Sequence, residues 1–173
     1  MSEQDSIRIA VVGAAGRMGS QVVRSLTPSE GFVPVIAADP HRSGGNVRDI
    51  AGPDAPDLEI IDKLGSALDH TPCDVMIDFT HHSAAPGHAI SAMKRGVCPV
   101  IGTTGMTGQE IKDLEVMSRE TGVPGIYAPN FALGAILMMR FAEEAARWLP
   151  DVEVIELHHD RKVDAPSGTA VLT

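Results

Sequence analysis

Aromatic side chains, cysteine and positive charge are all scarce in this chain of 173 residues. Trp, Tyr and Phe together make up 3%, too few for a platform on which the bases of single-stranded nucleic acid could stack. Lys and Arg number 14 against 23 Asp and Glu, a formal net charge of −9. That balance argues against duplex nucleic acid and against an anionic membrane surface, since both need a basic face. Two cysteines, Cys73 and Cys98, make no disulfide framework. Each stands in or beside an apolar run, so both are expected to be buried, reduced thiols. No stretch approaches the roughly 18 consecutive apolar residues of a transmembrane helix. The first six residues are polar and acidic, unlike the basic and then apolar pattern of a secretory leader. A cytoplasmic setting is therefore expected. Internal repeats and low-complexity tracts are lacking too.

What is present is a strict alternation of element types. Hydrophobic residues at 43% and charged residues at 21% are ordinary for a globular chain with a sizeable core. Ile7 to Val12 (IRIAVV) is a short apolar run ending in glycine, the mark of a buried strand. Gly16 to Leu26 suits a helix. Phe32 to Ala38 suits a second strand, with Pro34 placing its start near an edge. His41 to Pro56 is rich in turn residues and reads as a long loop; Ile60 to Leu68 reads as strand, then helix. Cys73 to Phe79 is a strand and Ser83 to Lys94 a helix with Ser83 as N-cap. Val97 to Ile101 is a strand, and Thr107 to Glu120 a helix whose Thr107…Glu110 spacing matches a capping box. Val123 to Tyr127 is a strand, Leu133 to Leu149 a long helix and Val152 to Leu157 a last strand. Strands and helices alternating with short connections predict an α/β fold: a Rossmann-like, doubly wound parallel sheet with helices on both faces.

The first strand runs into Gly13-Ala14-Ala15-Gly16-Arg17-Met18-Gly19 and then a helix. The spacing G-x-x-G-x-x-G is a close variant of the dinucleotide fingerprint. Its glycines allow a tight turn, approach of the backbone to a pyrophosphate and close packing of helix on strand. Asp39 ends the second strand 20 residues after Gly19, where a carboxylate accepts the ribose hydroxyls of NAD. A glycine-rich turn without a ligand is the plainer reading of a lone triplet. The strand, the helix and the spacing of Asp39 together favour the dinucleotide. Asp39 repels a 2′-phosphate, whereas Arg17 and Arg42 are close enough in sequence to offset it. NADH is thus favoured and NADPH left open.

In an open parallel sheet, ligands sit beyond the carboxyl ends of the strands. Three later strands end there in small or polar residues: Asp78-Phe79-Thr80, Gly102-Thr103-Thr104-Gly105 and Ala128-Pro129-Asn130-Phe131. Each alone is ordinary turn chemistry; together they mark a cleft edge. The segment Glu156 to Ala170 (ELHHDRKVDAPSGTA) is the most loaded. His158 and His159, adjacent on a strand, would point to opposite faces. Lys162 follows four residues after His158, and a His with a Lys suits proton donation beside an anion site. Pro166, near a first helical position, would start a helix whose free N–H groups and the hydroxyls of Ser167 and Thr169 suit a carboxylate. A solvated polar loop is the plainer alternative. Zinc on His81, His82, His158 and His159 is not expected, because tandem histidines lack ligand spacing and no cysteine is near.

The pattern Glu156-x-His158-His159-x-x-Lys162-x-Asp164-Ala165-Pro166-Ser167-Gly168-Thr169-Ala170, with GAAGRMG at Gly13 to Gly19, Asp78-Phe79-Thr80, GTTG at Gly102 to Gly105 and Pro129-Asn130-Phe131, resembles the dihydrodipicolinate (4-hydroxy-tetrahydrodipicolinate) reductase family over nearly the whole chain. The resemblance implies an enzyme of the diaminopimelate and lysine pathway that passes hydride from NADH or NADPH to a small unsaturated cyclic dicarboxylate. It implies cofactor contacts at Gly13, Ala14, Ala15, Gly16, Arg17, Met18, Asp39, Gly102, Thr103, Thr104, Ala128, Pro129, Asn130 and Phe131. His158 and Lys162 would be the proton-transfer residues, and His159, Ser167, Gly168 and Thr169 would bind the substrate. Residues 1–130 would form the dinucleotide-binding domain, and 131–173 the start of an α+β substrate and oligomerisation domain that carries homotetramer contacts in the family. Pro40 stands where family members often carry a basic residue. The family also continues past the position of Thr173, so a truncated chain is expected, with a non-catalytic NAD(P)H-binding fragment as the alternative function.

Overall fold

The computed structural model describes residues 6–128, 130–149, 151–158, 166–167, 169–170 and 173. The chain divides into two compact units, Met1–Tyr127 and Ala128–Thr173.

The first unit alternates strand and helix throughout: β1 (Ile7–Val12), α1 (Arg17–Leu26), β2 (Phe32–Ala38), α2 (Val47–Ala51), β3 (Ile60–Ile61), α3 (Leu64–His70), β4 (Val75–Asp78), α4 (Ala85–Met93), β5 (Cys98–Ile101), α5 (Gly108–Thr121) and β6 (Ile126–Tyr127). The six strands form one parallel sheet in the order β3-β2-β1-β4-β5-β6. The chain builds outward from β1 in one direction, then returns to β4 and builds in the other. A topological switch point therefore lies between β1 and β4, the place where such sheets open a crevice. This is the doubly wound α/β architecture expected from the alternation.

A strand buried on both faces feeds two cores with period two. In β1, Ile9 and Val11 join Val23, Ala37, Val47 and Ile60 in one cluster, under α1 and α2. Ala10 and Val12 join Met76, Ala85, Ala89 and Leu114 in the other, under α4 and α5. Two prolines limit the sheet. β3 pairs β2 only at Ala37 and Ala38, so Pro34 lies where β2 is locally an edge, as its identity suggested. There the β1–β2 register also slips, from Ile9↔Pro34 to Ala10↔Ile36. Pro99 sits inside β5. Cys98 and Gly102 donate their N–H groups to Asp74 and Asp78, towards β4. The missing donor of Pro99 therefore faces β6, and pairing on that side starts only at Val100. This leaves β6 with two residues where a strand over Val123 to Tyr127 was expected.

Other local expectations meet corrections. The stretch from His41 to Pro56 contains α2, started by a capping box between Asn46 and Asp49. Asp in place of Glu at the third helical position hid that signal. Ser83 does not cap α4, whose N-cap is Ala84; the Ser83 hydroxyl bonds His81 Nδ1 instead, at 2.9 Å. The Thr107–Glu110 capping box at the start of α5 is present as expected. Cys73 and Cys98 are free but only half-buried. Burial still pushes the Cys73 thiol up, which keeps it protonated.

The second unit contains α6 (Leu133–Ala146), which stops three residues short of the expected Leu149. Residues 151–158 carry no regular structure, so the strand expected over Val152 to Leu157 is absent. A strand exists only as one side of a hydrogen-bonded ladder, and among the described residues this segment has no such partner. Thr169 and Ala170 are helical, and the Ser167 hydroxyl caps that turn by accepting the Ala170 N–H at 3.0 Å. Pro166 directly precedes that cap, near the helix start as expected. Among the described residues no helix is long and apolar enough to cross a membrane.

Candidate functional site

At the carboxyl end of β1 the chain turns through Gly13, whose φ of +77° is a left-handed conformation that favours glycine. Its N–H donates to Ala38 O at 2.8 Å, which ties the loop to the end of β2. Gly19, in the first turn of α1, sits so close beneath that loop that a Cβ would lie 1.9 Å from Gly13 O. Glycine at these two positions lets α1 start directly against the strand end. The N-cap of α1, Gly16, offers no side-chain cap. Its first-turn N–H groups are thus left for a ligand or water, and with the helix dipole they suit an anion.

Asp39 is buried at the end of β2 and faces this loop. Its Oδ2 accepts the Ala15 N–H at 3.1 Å and its Oδ1 the His41 N–H at 3.0 Å. One carboxylate thereby fixes both loops. Gly13, Gly16, Asp39, Phe79, Thr80 and His88 line a cleft of about 410 Å³ that opens between these strand ends. Asp62, His41 and His81 line it too. Arg17 and Met18 are exposed beside the loop, and Ala14 is buried beneath it.

A second knot lies one strand over. Asp78, the last residue of β4, is 0% exposed. Its Oδ1 accepts from Thr80 N at 2.9 Å, Thr80 Oγ1 at 2.7 Å and Thr103 Oγ1 at 2.9 Å. Its Oδ2 accepts from His88 Nδ1 at 2.8 Å. Burial raises the carboxyl pKa, but the donors from His88, Thr80 and Thr103 outweigh it and leave the pKa below its ordinary value. Asp78 is therefore a charged, satisfied carboxylate that joins the loop after β4 to the loop after β5. That second loop holds Gly102, Thr103 and Thr104, of which Thr103 is buried and Thr104 exposed.

The second unit gathers another set. Asn130 Nδ2 donates to Thr169 Oγ1 at 3.0 Å, and Asn130 Oδ1 accepts the Ala132 N–H at 2.8 Å. The Glu156 carboxylate accepts the Ser167 N–H at 3.0 and 3.2 Å and lies 3.9 Å from His158 Nδ1. Residues far apart in sequence thus meet: Asn130 with Thr169, and His158 with Ser167 through Glu156. Ala128 and Phe131 flank the start of this unit. Pro129, His159, Lys162 and Gly168 lie outside the described residues. Sequence reasoning missed His88 and Asp62 altogether and treated Asp78 as a loop marker and Glu156 as part of a motif. Only the folded geometry puts a carboxylate and an imidazole ten positions apart into contact.

The family model for the N-terminal part of dihydrodipicolinate reductase matches residues 7–131, and that for its C-terminal part matches residues 134–173. The chain belongs to the dihydrodipicolinate reductase family. A 4-hydroxy-tetrahydrodipicolinate reductase from Syntrophomonas wolfei is 45% identical over 166 residues, covering 96% of this chain and 62% of the relative. One from Halalkalibacterium halodurans is 43% identical, with 96% and 63% covered. The dipicolinate-bound dihydrodipicolinate reductase from Paenisporosarcina sp. TG-14 superposes with a TM-score of 0.77 at 37% identity, covering 96% of this chain and 63% of that one. This chain thus spans slightly under two thirds of the length of these family members.

Proposed function

We propose that the whole protein converts 4-hydroxy-tetrahydrodipicolinate to tetrahydrodipicolinate, the hydroxyl leaving as water and NADH or NADPH supplying the hydride, in lysine and diaminopimelate biosynthesis. The observation that carries this reading is the cleft at Gly13, Gly16 and Asp39, built at the switch point of a doubly wound sheet in a chain of this family. The residues present fit a dinucleotide. Close approach of helix to strand at Gly19 and an uncapped α1 N-terminus suit a pyrophosphate, and a carboxylate at the end of β2 suits a ribose diol. When bound, the cofactor supplies a hydride.

Gly13, Ala14, Ala15, Gly16, Arg17 and Met18 would hold its phosphates. Asp39 would accept from the ribose and repel a 2′-phosphate, which favours NADH. Gly102, Thr103, Thr104, Ala128, Pro129, Asn130 and Phe131 would line the rest of its path. His158 would move the proton, with Glu156 beside it to stabilise the imidazolium, and Lys162 would be a second donor. His159, Ser167, Gly168 and Thr169 would bind the substrate carboxylates.

The test is turnover of the condensation product of pyruvate and aspartate semialdehyde by the whole protein. His158→Gln is expected to lower kcat by about 100-fold, the scale of a lost general acid–base residue. Normal turnover by that variant would remove His158 from the mechanism. Asp39→Ser is expected to cost NADH about tenfold more affinity than NADPH, as loss of one charged hydrogen-bond acceptor implies. An unchanged preference would sink the role given to Asp39.

A further inference from the structure

His88 is one of the residues in the cleft wall that neither the glycine loop nor the His-Lys segment accounts for. It stands on α4, half-buried, with its Nδ1 2.8 Å from Asp78 Oδ2. Asp78 Oδ1 is already committed to three donors, two from Thr80 and one from Thr103. An ionised carboxylate only accepts hydrogen bonds, so the contact at Oδ2 requires a proton on Nδ1 of His88. In the neutral imidazole the other nitrogen is then bare. Nε2 has no partner among the described residues, and His88 lines the 410 Å³ cleft.

We propose that Asp78 is a positioning residue for the nucleotide: by accepting the Nδ1–H of His88 it fixes that tautomer and gives the cleft a bare Nε2 as an acceptor for a donor group of the bound dinucleotide. The tautomer follows from the local geometry alone; its use rests on the nucleotide reading of the cleft. Asp78 is well suited to the task because its remaining bonds hold it rigidly between two loops. The imidazole cannot rotate without leaving a buried charge short of a donor.

Substitution by asparagine inverts the arrangement. In Asp78→Asn the amide oxygen can keep the Thr80 and Thr103 donors, which turns the NH₂ towards His88. Nδ1 must then accept, the proton moves to Nε2, and the cleft meets a donor in place of an acceptor. The experiment is two-bond ¹H–¹⁵N NMR on ¹⁵N-labelled protein at about pH 8, where an ordinary imidazole is neutral, alongside NADH titration by fluorescence. Loss of a signal in His88→Asn assigns the residue. His88→Asn also retains an N–H for Asp78 while deleting the Nε2 acceptor, so it tests the proposal even if Asp78→Asn does not fold.

The expected result is an Nδ1–H tautomer in the wild type, an Nε2–H tautomer in Asp78→Asn, and NADH binding about tenfold weaker in both variants at an unchanged far-UV spectrum, as one lost hydrogen bond implies. An Nε2–H wild type, or wild-type affinity in His88→Asn, overturns the proposal. A wild type that shows the Nδ1–H tautomer yet fails to bind NADH overturns the nucleotide reading and, with it, the use given to Nε2, while the assignment of the tautomer to Asp78 stands.

Discussion

Two stretches of this chain, Ile7–Val12 (IRIAVV) and residues 152–157 (VEVIEL), look alike as sequence, and their fates differ. The first is β1, with β2 on one side and β4 on the other. Its last four residues are buried and divide between two cores. The second carries no regular structure, and its Ile155 and Leu157 are 77% and 91% exposed. Apolar, β-branched composition is only a permissive condition. The ladder of hydrogen bonds and the two faces to bury against are supplied by other segments.

Substitutions can break this contrast, and their effects rank by how much of the surrounding structure each residue answers to. Gly19→Ala is expected to be the most damaging. A Cβ 1.9 Å from a backbone oxygen cannot be relieved by a rotamer, so the α1–β1 junction must move. A loss of about 3 kcal/mol or more in urea unfolding is expected, the range of gross backbone or core disruption. Recovery of wild-type stability would mean that the loop is not so tightly packed. Met76→Ala follows. Met76 is fully buried on β4 between the neighbouring strands, and truncation is expected to cost about 2–5 kcal/mol.

Thr107→Ala removes one half of the α5 capping box and is expected to cost about 1 kcal/mol. Asp74→Asn sharpens the pH dependence. The Arg8 guanidinium, at 2.6 Å, and the Arg8 N–H pull the Asp74 carboxyl down to about 2 from an ordinary value near 3.8. A depressed carboxyl pKa stabilises the fold above the unfolded value and loses that contribution as pH falls through the folded one. The wild type should therefore lose stability between about pH 4 and pH 2 more steeply than Asp74→Asn, and parallel acid limbs would refute the pair's contribution. Ile155→Ala, in the segment without a ladder among the described residues, should change the stability of the 173-residue chain by less than about 0.5 kcal/mol. A loss as large as that of Met76→Ala would erase the contrast between the two stretches.

Most of the first unit was legible because its signals are local and repeated. The apolar run of β1, the G-x-x-G-x-x-G loop and the Thr107…Glu110 box each need only a few neighbouring residues to be recognised. α2 was hidden because Asp49 fills the capping-box position usually held by Glu, and Ser83 misled because its hydroxyl found His81 before it found the helix. The length of β6 was unreadable from its own residues. It is limited by Pro99 on the neighbouring strand, whose absent N–H faces it. Of the candidate site, the glycine loop and Asp39 were visible through their spacing. His88 and Asp62 were not, because nothing local distinguishes a cleft-lining imidazole or carboxylate from a solvated one.

The sequence alone determined the alternation of strand and helix in the first unit apart from α2, the doubly wound fold class and the glycine-rich turn after the first strand, and its motifs carried the resemblance to the family. The alternation, the fold class and the turn rest on periodicity and spacing along the chain, which short-range sterics and hydrogen bonding translate directly into local structure. Tertiary structure alone decided which strands found ladders, where β5 and β6 could pair, and that Asp78 would be buried against His88, Thr80 and Thr103. Each of those depends on groups distant in sequence arriving within hydrogen-bonding reach. The free energy of a buried carboxylate or an unpaired strand is set by those arrivals and not by the residues beside it.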